Sequence, residues 1–142
     1  MTRLLDINLL IALLWERHEH HRMARRWVSG VERFATCPLT QLGFVRISSN
    51  PAIGYALEVP VARDVLHTLT KHARHTFWPD SIRLLDRAVP VVVGGGQLTD
   101  AYLLGLAVRR RGRLATRDQG IARWAGTAAD RVETLPAGAS RA

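Results

Sequence analysis

Little in this chain of 142 residues serves as a side-chain nucleophile. Cys37 is the single cysteine, which excludes an internal disulfide, and its setting in FATCPLT reads as a small buried residue, not a reactive thiol. There is no P-loop, no HExxH, no cysteine pair at zinc spacing and no GxSxG. A phosphotransferring DxD pattern also fails, because the residue two places after Asp6 is Asn8. Long apolar runs are missing as well. LLIALLW after Asp6 and VPVVV after Arg87 fall well short of the ~20 residues that a membrane-spanning helix needs. Asp6 and Asn8 interrupt the first apolar stretch before it forms a secretory leader, so a cytoplasmic protein with no membrane partner is expected.

Lysine is almost absent: of twenty basic residues only Lys71 is one. The arginine bias suits guanidinium forks that grip phosphate in pairs, and it equally fits a GC-rich genome. A formal charge of +8 and a pI of about 11.3 draw polyanions toward the surface and speed encounter with them. Nucleic acid or an acidic protein is the natural partner. With 47% hydrophobic residues, the length allows one domain with one ordinary core. That domain is placed at residues 1–135, with an Ala, Gly and Ser rich tail over 136–142 that is expected to fray.

Apolar runs alternate between the periods of strands and helices. Strands are predicted at 3–5, 33–37, 76–78, 113–116 and 131–135. Helices are predicted at 7–14, 20–28, 39–48, 61–72, 80–86, 99–108 and 119–124, and Gly94 to Gly96 are expected to form a flexible surface loop. Strands alternating with helices imply an α/β fold with a parallel sheet covered on both faces. Ligands of such folds bind outside the C-terminal ends of the strands.

Asp6, Asp100 and Asp118 lie where the apolar segments LLDINLLIALL, QLTDAYLLGLA and RLATRDQGIA meet a turn or helix. A carboxylate is rarely left there unless a metal ion or a buried donor offsets its desolvation. Asp100 alone reads equally well as a helix-opening acid, and Asp118 as a turn residue before Gly120. Asp6, inside an apolar run, resists the bland account best. Together at one sheet edge, the three match the oxygen ligands preferred by Mg²⁺ or Mn²⁺. Such an ion neutralises a phosphodiester and activates water, which explains why no side-chain nucleophile is needed.

The order DINLLIALL, TCPLTQLGFVR, LTDAYLLGLA, LATRDQGIA resembles the PIN-domain ribonucleases, in particular the VapC-type toxins of toxin–antitoxin pairs, over about residues 4–122. The resemblance implies a three-layer α/β/α fold with a central, mainly parallel sheet. It implies Mg²⁺- or Mn²⁺-dependent endonuclease activity on RNA, with transfer RNA or ribosomal RNA as substrate. It also implies homodimerisation and inhibition by a small cognate antitoxin. Asp6, Asp100 and Asp118 take the places of acidic metal ligands, Thr116 that of a hydroxyl orienting metal-bound water, and Asn8 that of a polar helper. The departure is Gln41, where most of the wider family carries glutamate.

Arg117 beside Asp118, and Arg46 beyond Gln41, are the candidates for gripping phosphate. His18, His20 and His21 are read as a solvated loop, because their spacing does not put them on one helix face for zinc. Trp27 and Trp78 are assigned to the core or to the underside of the helices, and Trp15 and Trp124 to a pocket rim. The rival reading is a weakly active or inactive RNA-binding module that kept the fold. A receiver-like signalling domain lacks the lysine it needs near the last strands. Because an amide oxygen brings no charge, Gln41→Glu is expected to tighten Mn²⁺ binding in a calorimetric titration. An unchanged isotherm counts against a role for this position at the metal.

Overall fold

Five strands of three or four residues each carry the architecture: β1 (Arg3–Leu5), β2 (Phe34–Thr36), β3 (His75–Phe77), β4 (Arg113–Thr116) and β5 (Val132–Thr134). The computed structural model describes residues 1–54 and 56–136; the expected tail lies outside them except for Pro136. Every pairing is parallel, in the order β3-β2-β1-β4-β5. The strand order reverses at β1, whose neighbours are β2 and β4. This is where an open parallel sheet leaves a crevice at its C-terminal edge.

The pleat sends alternate side chains to opposite faces. Leu5, Phe34 and Ala115 join one core cluster with α1 (Ile7–Leu14), α2 (His21–Ser29), α3 (Pro38–Ser48) and α4 (Val59–Thr70). Leu4, Ala35 and Leu114 join the other with α5 (Leu98–Arg109) and α6 (Ile121–Trp124). The expected three-layer α/β/α fold with a parallel sheet is observed, and the sheet is parallel throughout.

Local chemistry accounts for the helix starts. Pro38 occupies the first turn of α3, where its missing N–H costs nothing, and Thr40 Oγ1 accepts from Cys37 N at 3.0 Å. Asp6 caps α1, taking the Leu9 N–H on Oδ1 at 2.7 Å.

Three expectations are corrected. Residues 80–86 form no helix: Leu84 and Leu85 are exposed, so a helix there has no apolar face to bury. Instead Asp86 Oδ1 accepts from Ala88 N at 2.8 Å in a local turn. Gly94 to Gly96 do not stay a loop, since Gly95–Gln97 form a 3-10 turn that runs into α5. Trp15 is not on a pocket rim. It is 7% exposed in the core, and its indole N–H donates to Ser48 Oγ at 2.8 Å.

Glycine decides one contact outright. A Cβ on Gly105 of α5 falls 2.9 Å from Val89 Cα and 3.0 Å from Val89 N, so backbone would have to move. Gly105→Ala is expected to cost about 1–3 kcal/mol in urea unfolding, and an unchanged midpoint would show that the 80–94 segment yields freely.

Candidate active site

β1 and β4 end side by side, with Leu5 in register with Ala115, so the next residues, Asp6 and Thr116, are neighbours. Both are buried, Asp6 at 2% exposure. The Thr116 hydroxyl donates to Asp6 Oδ2 in a very short hydrogen bond. The same oxygen, Thr116 Oγ1, accepts from Asp118 N at 2.9 Å. One hydroxyl therefore ties β1 to the loop that carries Asp118. Asp118 is exposed, and its Oδ1 closes a turn on Gly120 N at 2.7 Å.

Asp100 lies in the first turn of α5, half-buried. Thr99 lies beside it in the same first turn, after the N-cap Gln97. Burial pushes the Asp6 carboxyl up to about 7; hydrogen bonds from Thr116 and Leu9 pull against this, and Asp100 and Asp118 add to the rise. Burial, then Asp118, also raises the Asp100 carboxyl. The three aspartates thus share one electrostatic neighbourhood. The salt bridges among the described residues are Arg3–Glu133, His20–Glu19 and Arg109–Asp86, and none of them involves these aspartates.

Among the described residues, no three His, Cys, Asp or Glu side chains already form a cage for an ion. The donor set still fits a hard cation. Its carboxylates lie within electrostatic reach of one another and repel, and none of the salt bridges among the described residues offsets them. A hard divalent ion that keeps its own waters and takes a substrate phosphate would complete such a group.

Gln41, in the second turn of α3, donates from Nε2 to Thr36 Oγ1 at 3.0 Å and makes no bond to the aspartates. Arg117 is half-buried, and its Nε is sealed without a hydrogen-bond partner. Its guanidinium, after burial itself, helps hold the His18 imidazole below the usual range. Arg46 is exposed in the last turn of α3, roughly 12 Å along the axis from Pro38 at 1.5 Å per residue, so the helix carries it away from the edge. Asn8 is exposed on α1, two residues past Asp6.

His18 and His20 lie in the turn before α2, and His21 opens that helix, all three partly exposed. His18 Nδ1 accepts from His20 N at 3.0 Å, and His21 Nδ1 lies 3.0 Å from Ala12 O. Sequence reasoning missed Thr36 and His75, which join Gln41 through Thr36 Oγ1, 2.8 Å from His75 Nε2. The available signal was that Thr36 ends β2 as Thr116 ends β4.

The PIN domain family model matches residues 3–126. This chain belongs to the PIN-domain family. Its PIN-domain relatives include Ribonuclease VapC38 of Mycobacterium tuberculosis, 46% identical over 121 residues that cover 83% of this chain and 86% of the relative. Ribonuclease VapC29 of the same organism is 42% identical over 135 residues, covering 94% and 98%. In architecture the domain is similar to the crystal structure of VapBC2 from Rickettsia felis bound to a DNA fragment from their promoter. That match has a TM-score of 0.62 at 11% identity over 96% of this chain and all of the other. The PIN domain here is thus of the VapC type.

In the unfolded chain Asp6 ionises near 3.8, and in the fold only near 7. Between these values the folded state binds the extra proton, so the metal-free protein loses stability as pH rises through that window. Asp6→Asn removes the loss. In urea unfolding with EDTA at pH 8 the variant is expected to gain stability relative to the parent, on the order of a few kcal/mol, with little gain at pH 4. An equal deficit at both pH values would mean that Asp6 is a structural cap only.

Proposed function

We propose that this protein is a metal-dependent endoribonuclease, the toxin of a toxin–antitoxin pair, which cleaves RNA phosphodiester bonds with water as nucleophile. The observation that carries this reading is the acidic edge: Asp6 gripped by Thr116 and Leu9, with Asp100 and Asp118 within electrostatic reach and no salt bridge to any of the three among the described residues. Asp6, Asp100 and Asp118 would hold Mg²⁺ or Mn²⁺, which when bound neutralises the phosphodiester and makes water a nucleophile near neutral pH.

The rest is the work of this chain's own groups. Leu9 N–H and the Thr116 hydroxyl aim the two Asp6 oxygens and leave each with a free lone pair. Asp118 N–H holds Thr116 in turn, so the site is set before substrate arrives. The surplus of arginine over acid supports RNA as the polyanion, and the names of the relatives support a ribonuclease. A solved neighbour that is a VapBC assembly supports an antitoxin partner. Homodimerisation belongs to the same reading, supported by exposed Leu42, Val59 and Phe77 beside the groove between α3 and α4. Among the described residues no helix is long and apolar enough to cross a membrane.

One observation favours the rival, an RNA-binding module with little activity: Gln41 brings no charge and is engaged by Thr36. Cleavage of a mixed cellular RNA pool separates the two. The parent is expected to give discrete fragments in Mn²⁺ or Mg²⁺ and none in EDTA, and Asp100→Asn is expected to cut about 100-fold more slowly. Intact RNA in every lane, with normal RNA binding, would establish the rival.

A further inference from the structure

Two threonines end the strands on either side of β1, Thr116 on β4 and Thr36 on β2, and both are fully buried. Thr116 serves the aspartates. Thr36, which shares the pleat side of Phe34 and so faces the α1–α4 layer, serves a second chain of bonds. Gln41 Nε2 donates to Thr36 Oγ1, and Thr36 Oγ1 lies 2.8 Å from His75 Nε2.

The direction of each bond follows from the tautomer of His75, which the surroundings of the ring assign. Gln41 Nε2 carries protons only and spends one on the hydroxyl oxygen. The Thr70 backbone favours the charged form of the His75 ring, which is the effect of a carbonyl accepting from a ring N–H. Because Nε2 is taken by Thr36, that proton is on Nδ1. Burial favours the neutral ring, so Nε2 is a bare lone pair and the Thr36 hydroxyl donates into it. In that tautomer a turned-over amide would leave Gln41 Oε1 and His75 Nε2 both needing the one hydroxyl proton.

We infer that His75 is a positioning residue: through Thr36 it fixes which end of the Gln41 amide is spent inside the fold, leaving Oε1 as the atom offered one strand away from Asp6. Gln41 Oε1 makes no hydrogen bond and is not among the buried atoms that lack a partner, so it is open to solvent. The functional meaning rests on the nuclease reading; the bond chemistry does not.

The titratable and charged groups around the ring are His72, in the turn before β3, and Arg63, Asp64 and His67 of α4, which line the groove shared by Gln41 and His75. Phe34 lies edge-on at 5.7 Å. No hydrogen bond joins any of these to the ring among the described residues. A carboxylate at position 41 would reverse the relay, because it only accepts. Thr36 would turn its proton to residue 41 and accept from His75 Nε2, and the ring would switch tautomer or take a second proton.

Nitrogen NMR of the full chain labelled with ¹⁵N-histidine reads this directly. At neutral pH, His75 is expected to be neutral with its proton on Nδ1. In Gln41→Glu the proton is expected on Nε2, or the titration midpoint moves up. In Gln41→Glu combined with Thr36→Val the tautomer stays as in Thr36→Val alone, which separates the relay from a plain charge effect. A proton on Nε2 in the parent, or a Gln41→Glu ring that keeps both tautomer and midpoint, overturns the relay, and neither reading needs the Thr36 variant to fold.

Cleavage tests the positioning role. His75→Phe keeps the ring volume but cannot accept from Thr36, and it is expected to lower kcat about three- to tenfold, the worth of one net hydrogen bond, with KM little changed. Unchanged kcat overturns the role. If no protein in the set cleaves RNA, the nuclease reading fails, and the tautomer data still decide the relay.

Discussion

Asp6 is nearly sealed from water, and a carboxylate in that position survives only if its oxygens find donors. It finds one in the helix that follows it and one at the end of a strand 110 residues away. These two bonds set more than a side chain. The first starts α1 at a fixed point beyond β1. The second, relayed through Asp118 N–H, fixes how the loop after β4 leaves the sheet. Removing a donor from a buried acceptor costs about 1–3 kcal/mol, more for a charged one. The central strand pair, the α1 start and the acidic edge therefore stand or fall together.

The edge divides into two chemically distinct halves because a strand sends alternate residues to opposite sides. Asp6 and Thr116 share the side of Leu4 and Leu114, packed under α5, which brings Asp100. Thr36 shares the side of Phe34, toward α3 and β3, which bring Gln41 and His75. One half collects repelling carboxylates, and burial raises two of them, Asp6 and Asp100. The other is a neutral chain of an amide, a hydroxyl and an imidazole. Both halves end on a buried threonine hydroxyl, and β1 separates them by the width of one strand.

Much of this was legible in the sequence, and the part that was not has a physical reason. Asp6 stood out because a charge inside an apolar run must be paid for in structure. β1, α1, α3 and α5 followed from the period of their apolar residues. Residues 80–86 misled, because Pro79 and Asp80 look like a helix start, yet helix formation there depends on an apolar face that Leu84 and Leu85 do not bury. Thr36 and His75 were invisible for another reason. A hydroxyl's partner depends on which pleat side it takes and on a strand 39 residues further on, and neither is a local property. Trp27 packs against the core, half-buried, and its indole N–H reaches Glu133 Oε2 at 2.8 Å.

The contact between Asp6 and Thr116 also has a temporal side. Ribosomes deliver the N-terminal part first, and non-local parallel pairings close late. Through most of synthesis β1 has β2 beside it but no β4, Asp6 lacks its second donor, and Asp118 has not been made. A nascent chain therefore carries no assembled acidic edge until nearly all of the domain has been translated. On the nuclease reading, the ribosome and message producing the protein are the nearest targets, and this topology withholds the acidic edge until they have almost finished.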